Sequence, residues 1–531
     1  MDTNFLTAVA IIALYAGRLA GGATWYVDGS VPQTGDGKSW QTAMKTIEQA
    51  LNMARGGQDT ILVAEGRYTE NVQIRMHPNL RLSSRDPLDP LVVANTILDG
   101  ATRRSVVTFS GYEGESCVLE GFTITNGAAP HGGGINGNGT AATIRNNIIT
   151  GNVAYWAEDA GPWGGGLDGC NGLIENNVIS DNVAEGYFIR DDMYPGGVRY
   201  AEGHGGGLSG CAGTIRNNAI VRNGATGFPN SGYSGLGTGL SACHGTIENN
   251  LIADNGDETG VFAVAFCEGT IRGNTITGNV GGAWSCGGRI VANFIFENGG
   301  SGLDSCSGAV ENNVIYRNSG RGISWATGIM RNNTIFANAG GGVEGPDYSG
   351  PYDSLLENCI IWGNGGVGQL HRYRPQPTYS CIQDWTGGGE GNVSEDPRFV
   401  DEGRGDVRLR ADSPCIDAGF NSPELPEFDI AGMHRIMFGG KSLTVDMGAY
   451  EFYINKLEPV PGTNEAIFTW SSLADKTYSI FYSDDLFNWH TAVANFPSSG
   501  NQTTSWLDDG SLTGIPPLLA PRRFYRLLEN P

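Results

Sequence analysis

TIRNNIITGN (Thr143–Asn152), LIENNVISDN (Leu173–Asn182), TIRNNAIVRN (Thr214–Asn223) and TIENNLIADN (Thr246–Asn255) are successive copies of one ten-residue phrase. It continues as TIRGNTITGN (Thr270–Asn279), RIVANFIFEN (Arg289–Asn298), AVENNVIYRN (Ala309–Asn318), IMRNNTIFAN (Ile329–Asn338) and LLENCIIWGN (Leu355–Asn364). A degenerate copy, VLEGFTITNG, starts at Val118. Start-to-start spacings are 25, 30, 41, 32, 24, 19, 20, 20 and 26 residues. A floor near 20 residues with β-branched alternation is too short for a helix pair and fits one turn of a β-solenoid per repeat.

Column reading supports the stacking. The third position of the phrase holds Glu120, Arg145, Glu175, Arg216, Glu248, Arg272, Val291, Glu311, Arg331 and Glu357. The sign alternates at every step, with Val291 the one neutral residue. Parallel strands stacked about 4.8 Å apart would set each of these side chains against opposite charges on both neighbours. Each surface pair contributes only about 0–1 kcal/mol, so the column is read as a register marker. The preceding residues (Ile144, Ile174, Ile215, Ile247, Ile271, Ile290, Val310, Met330, Leu356) should point inward. So should Ile149, Ile179, Ile220, Ile252, Ile276, Ile295, Ile315, Ile335 and Ile361, five residues further on. Asn tolerates left-handed backbone, and its amide can bond its own copy one rung away, which suits the bends. The expected fold is all-β: a right-handed parallel β-helix over 24–364.

Both ends are expected to differ from the middle. Ser39 precedes Trp40, Met44, Ile47, Leu51 and Ala54 at helical spacing, so a helix near 39–55 should cap the first rung, whose edge is otherwise unpaired. Early coils lacking the phrase are expected at Ile61–Val63, Val72–Ile74, Leu80–Leu82, Val92–Ile97 and Val106–Phe109. Residues 365–452 lose the repeat and extend the solenoid. From Leu457 the strands AIFTW, YSIFY and RFYRL predict a small β-sandwich over 457–531.

Residues 6–17 are an apolar run of 12, followed by small residues from Ala20 to Ala23, so 1–23 reads as a signal peptide and the protein as secreted or cell-surface. An uncleaved anchor is the alternative, though 12 residues are short for a bilayer, and no membrane span is expected in the mature chain. Of ten cysteines, Cys170, Cys211, Cys243, Cys267, Cys286 and Cys306 each stand three residues before a repeat. That spacing makes them one column of buried thiols acting as small hydrophobes, with a pairwise disulfide stack as the alternative. Cys381 and Cys415 lie outside it and are better placed to pair. No CxxC zinc pattern occurs.

Family resemblance enters at three places. WYVDGS, GDGKSW and TIEQALNMARGGQDTILVAEGRYTENVQI, within residues 25–74, resemble the start of bacterial extracellular, pectate-lyase-like β-helix proteins. YSCIQD (379–384), DPRFVD (396–401), DVRLRADSPCIDAG (406–419) and VDMGAYEF (445–452) resemble the choice-of-anchor Q region that ends many such chains. The last 75 or so residues resemble accessory domains on secreted proteins of polysaccharide-degrading aquatic bacteria. The resemblance implies architecture and a carbohydrate setting. It does not choose an activity, because the class mixes lyases, glycosidases, epimerases and adhesins.

Uneven spacing locates the candidate site. The excess residues fall at one corner, after the terminal Asn: 153–163, 183–204 and 224–236. Loops projecting from adjacent rungs of a rigid scaffold form one wall. That wall carries Trp156, Trp163, Tyr187, Tyr194, Arg199, Tyr200 and Tyr233 as candidate sugar-binding residues. It also carries Glu158, Asp159, Arg190, Asp191, Asp192 and His204 as candidates for proton chemistry. Packing of these rings onto the solenoid is the alternative. His131, Trp163 and His204 each precede a GGG and should form a column over three rungs, with His131 added to the binding set. Asp168 and Asp304 share a column with Ser209, Ser241 and Ser324 and read as polar surface.

Lyases that the N-terminal segment resembles commonly use a Lys or Arg base beside carboxylate-held calcium. The five lysines here (Lys38, Lys45, Lys441, Lys456, Lys476) leave the solenoid without one, so Arg190, Arg199 or a histidine would have to serve. Net charge is −23, which disfavours nucleic acid and repels polyanionic sugars unless calcium bridges them. The local exception is HRYR (His371–Arg374). An outward aromatic stripe, Phe296, Tyr316, Phe336 and Trp362, should pack under 365–452 or the appended domain. The expectation is a monomeric secreted or surface protein that binds polysaccharide or cell-surface glycan through the loop wall. A polysaccharide lyase or glycoside hydrolase using that wall, and a structural adhesin, are the alternatives.

Overall fold

The computed structural model describes residues 22–530 apart from 55–57, 158–160, 191–197, 228–235, 257–260, 326, 348–353 and 501, and backbone only for 187–190 and 198–200. The segment 1–23 expected as a signal peptide lies outside the described residues except for residues 22 and 23.

Three long parallel sheets wind into a β-helix. Sheet I has 13 strands and runs from Thr24–Val27 to Ser354–Glu357; sheet II has 13, from Gly66–Tyr68 to Cys381–Ile382; sheet III has 12, from Val72–Ile74 to Leu370–His371. The first half of each phrase lies in sheet I and the second half in sheet II. Register is as the charges require: Arg145 lies between Glu120 and Glu175, Arg216 between Glu175 and Glu248, and Arg331 between Glu311 and Glu357. At the break, Val291 faces Arg272 and Glu311, and Arg289, two residues earlier on the same face, reaches Glu311 at 2.8 Å. The isoleucine columns are fully buried, each side chain contributing about 1.5–3 kcal/mol.

The Asn-Asn pair divides two tasks between its members. The first residue, such as Asn146, Asn176, Asn217 and Asn249, takes φ near +55° and makes the bend. The second builds a ladder: Asn147 Nδ2 donates to Asn177 Oδ1 at 3.1 Å, Asn177 to Asn218 and Asn218 to Asn250 each at 3.0 Å, and so on to Asn333. The phrase-ending Asn forms a parallel ladder from Asn152 to Asn364 at 2.9–3.1 Å. These buried amides satisfy backbone groups that bends would otherwise strand.

The cysteine column is buried and free, each thiol donating to the carbonyl two residues back, at 3.3 Å for Cys211. Cys381 and Cys415 are side by side but reduced, which corrects the expected pairing. The N-terminal cap also differs. Ser39 caps a 3-10 turn, Trp40–Thr42, and the helix proper is Ile47–Met53, started by a Thr46/Gln49 capping box. The two are separated because Met44 pairs with Val27. Val92–Asn95, expected as the start of the coil Val92–Ile97, falls in a helix, Pro90–Asn95: Asp89 caps it, Pro90 pre-sets its first turn, and the strand begins only at Thr96.

After the last rung the chain turns back over the solenoid. Phe336, Phe399, Val407, Leu409, Cys415, Ile416 and Met447 share one core, with Phe336 and Phe399 ring centroids 5.7 Å apart, so the aromatic stripe packs under this cap. The cap also buries the charge column there. Arg331, 2% exposed, contacts Glu311 (3.3 Å), Glu357 (2.9 Å) and Glu424 (3.2 Å). The expectation of exposed pairs therefore fails at this end. Two three-stranded antiparallel sheets follow, from Asn455–Pro459 to Phe524–Glu529, around Trp470, Tyr478, Ile480 and Trp506. Among the described residues no helix is long and apolar enough to cross a membrane.

Candidate functional site

The corner before sheet III is where the rungs differ. Short strands Ala128–Ala129, Val153–Tyr155, Val183–Glu185 and Gly224–Ala225 extend four rungs as a fourth, small sheet, with Ala154, Ala184 and Ala225 as its core. The longest insertion rises from it as a hairpin, Tyr187–Arg190 against Val198–Ala201. The backbone of Tyr187, Arg190, Arg199 and Tyr200 is thus placed on the wall. Glu158, Asp159, Asp191, Asp192, Tyr194 and Tyr233 lie outside the described residues. Trp156 directly follows Val153–Tyr155 on the small sheet.

His131, Trp163 and His204 do form one column, paired rung to rung and continued by Leu236. The glycine after each has φ of +56° to +65°, so the chain turns sharply there into sheet III. The Trp163 and His204 rings stack, with centroids 5.0 Å apart and planes at 19°. Burial lowers the His204 pKa and keeps its imidazole neutral. Their facing surfaces are spent on each other, which leaves ring edges for a ligand.

His131 has a different partner. Its Nδ1 lies 3.1 Å from Asp168 Oδ2, on the outward face of sheet III. The hydrogen bond to Asp168 raises the His131 pKa, while burial raises the Asp168 carboxyl despite the imidazole. With Nδ1 committed to the carboxylate, Nε2 of this 44%-exposed ring is left to exchange a proton.

Asp168 belongs to the outward column of sheet III: Asn136, Asp168, Ser209, Ser241, Ala265, Trp284, Asp304, Ser324, Glu344 and His371 on successive rungs. Its middle is aromatic, with Phe266 and Trp284 edge to face at 4.8 Å and His204 leaning to 6.4 Å from Phe266. Beneath, the buried hydroxyls of Ser209 and Ser241 have no partner. Its far end is a second polar cluster. Glu344 takes Arg321 at 3.1 Å, the Ser324 hydroxyl at 3.3 Å and His371 Nε2 at 3.8 Å. Burial raises the Asp304 carboxyl, which accepts from Ser305 Oγ at 2.7 Å.

Asp168 and Asp304, expected as polar surface, thus stand in half-buried polar clusters, and Glu344, which the sequence reading did not single out, joins them in the same column. The available signal was their shared column, which a spacing count through Gly-rich segments already aligned. Among the described residues no cluster of three His, Cys, Asp or Glu could hold a metal ion.

No curated protein sequence matches the chain. Among solved structures, the fold is similar to that of pectate lyase Pel9A, at 13% identity over 82% of this chain and 97% of that one, with a TM-score of 0.38. It is also similar to GH136 lacto-N-biosidase from Eubacterium ramulus, at 12% identity over 70% and 68% of the two chains, with a TM-score of 0.33. The family model described as right handed beta helix region matches residues 92–292 and 241–372, together more than half of the chain. The chain belongs to the right-handed β-helix family.

Proposed function

We propose that this is a secreted or cell-surface protein that binds polysaccharide along the outward column of sheet III, beside the loop wall. One observation carries the reading: eight of nine consecutive rungs, from Asp168 to His371, place a polar or aromatic residue at one register position of sheet III, with Ala265 the exception and Ser209 and Ser241 buried beneath the rings. A rung rise of about 4.8 Å makes that face roughly 38 Å long, which suits an extended polymer better than a small molecule. Hydroxyl-rich chains match alternating carboxylate, hydroxyl and imidazole groups, and apolar sugar edges match Phe266 and Trp284. The net charge of −23 favours neutral glycans. Affinity electrophoresis on neutral and anionic polysaccharides, with and without calcium, tests this. Retardation on a neutral polymer, weakened by Trp284→Ala, is expected; migration unchanged on every polymer sinks it.

A second reading, polysaccharide cleavage, is favoured by Asp304 and Glu344. They stand two rungs apart on the same column, about 10 Å at Cα, near the ~6.5–9.5 Å between carboxyls that inverting hydrolysis uses. Asp304, pushed up by burial, would donate the proton, and Glu344 would activate water. New reducing ends from a retained polymer, lost in Asp304→Asn, would establish it; retention without turnover leaves binding alone.

A further inference from the structure

A cleft of about 540 Å³ opens between the cap and the C-terminal sandwich, far along the chain from the loop wall. It falls within the ~300–1,000 Å³ of small-ligand sites, which favour domain interfaces. The cap contributes Phe428, Met433 and His434; the sandwich side contributes Tyr453, Trp470 and Glu529.

Polar contacts hold the cleft open instead of letting it collapse. His434 Nε2 meets Glu529 Oε1 at 3.2 Å, and Lys476 Nζ meets the same oxygen at 3.1 Å. Ser471 Oγ donates to the Phe438 carbonyl at 2.9 Å and accepts from Ile454 N at 2.7 Å, fixing the two bodies at a second point. Two large side chains at the cleft stay exposed: Phe428 at 43%, its ring 4.7 Å from His434, and Tyr453 at 38%. Glu529 and His434, both partly exposed, stand beside these rings, so the cleft offers polar groups and open aromatic faces together.

We infer that this cleft is a second binding site, for a single residue or chain end of a neutral pyranose sugar. The ligand must offer hydroxyls to Glu529 and His434 and an apolar face to Tyr453 or Phe428. A pyranose does both. An anion would meet Glu529 on an acidic chain, and a purely apolar ligand would leave Glu529 and His434 facing it without polar partners.

Isothermal titration of the full chain with cellotetraose, mannotetraose and xylotetraose tests the site. One of them should bind with unit stoichiometry. Tyr453→Ala and Phe428→Ala, both at partly exposed side chains, should each weaken that binding about tenfold or more, and His131→Ala and Trp284→Ala should leave it unchanged. Absence of binding by all three sugars overturns the inference. So does binding that survives Tyr453→Ala, or that is lost with the sheet III variants, which would move it to the other site.

Discussion

The rungs before Thr277 and those after Phe294 use the same inward residues and different outward ones. In both halves isoleucine columns and asparagine ladders are buried with matching geometry. Outside, the earlier rungs carry Thr150, Ser180 and Thr277 on sheet II, where the later ones carry Phe296, Tyr316, Phe336 and Trp362. Arg216 is 42% exposed, while Arg331 in the equivalent position is 2% exposed. Bend residues differ likewise: Asn312 and Asn358 donate to the cap carbonyls of Phe428 and Phe420 at 2.8 and 3.0 Å. The phrase therefore specifies a coil, and the outward substitutions decide what the coil meets: solvent and loops in one half, a packed cap in the other.

The largest effects should separate the halves. Arg331→Ala strands buried carboxylates and should cost about 3–5 kcal/mol, whereas Arg216→Ala should cost no more than about 1 kcal/mol. Denaturant unfolding of both variants checks this, and equal losses would break the comparison. Phe336→Ala empties a fully buried site and should cost about 3–5 kcal/mol. Thr150→Ala should stay within about 0.5 kcal/mol, measured the same way. Ladder substitutions should instead erase the difference. Asn218→Ala and Asn313→Ala, in the same ladder, each orphan neighbouring buried groups at about 1–3 kcal/mol, and a large disparity between them would show that the inner columns are not equivalent.

A smaller, pH-dependent effect should be confined to the cap. Burial pushes the Asp446 carboxyl up to about 7, beside Asp417, Glu451 and Arg435, and burial also raises Glu451 and Asp429. A carboxyl raised on folding stabilises the fold while protonated, so its contribution falls as pH climbs from about 4 to about 7. Protection factors of the cap amides, with the base-catalysed rise in intrinsic exchange divided out, should fall over that window. Asp446→Asn should flatten the trend, at some cost because its amide nitrogen would face one of the backbone N–H groups from which Asp446 accepts. A fall in protection that is unchanged in the variant would assign the effect elsewhere.

Periodicity carried the inner architecture into view because inward residues must repeat to stack. The alternating Glu and Arg residues gave register, and the Asn and Cys columns gave burial. What periodicity misses is whatever covers the solenoid. Nothing near Arg331 announces that Glu424, 93 residues on, will bury it. Val92–Ile97 read as one early coil because Val92 and Val93 are β-formers, yet Asp89 and Pro90 just before it together are a helix start. At the site, the His131–Trp163–His204 column followed from the glycines, but the partner of His131 lies on the next rung and in another column. Only the folded chain, which crosses the two columns, brings Asp168 to His131.

The central claim is that a glycan lies on sheet III. Hydroxyl-radical footprinting with the best-retained neutral polysaccharide addresses it directly, because Trp163, Phe266 and Trp284 sit on that face and Tyr316 and Tyr450 sit beneath the cap. Protection of the first three rings, with the last two unchanged, is the predicted result. Retention of the polymer without protection at Trp284 and Phe266 would contradict the account.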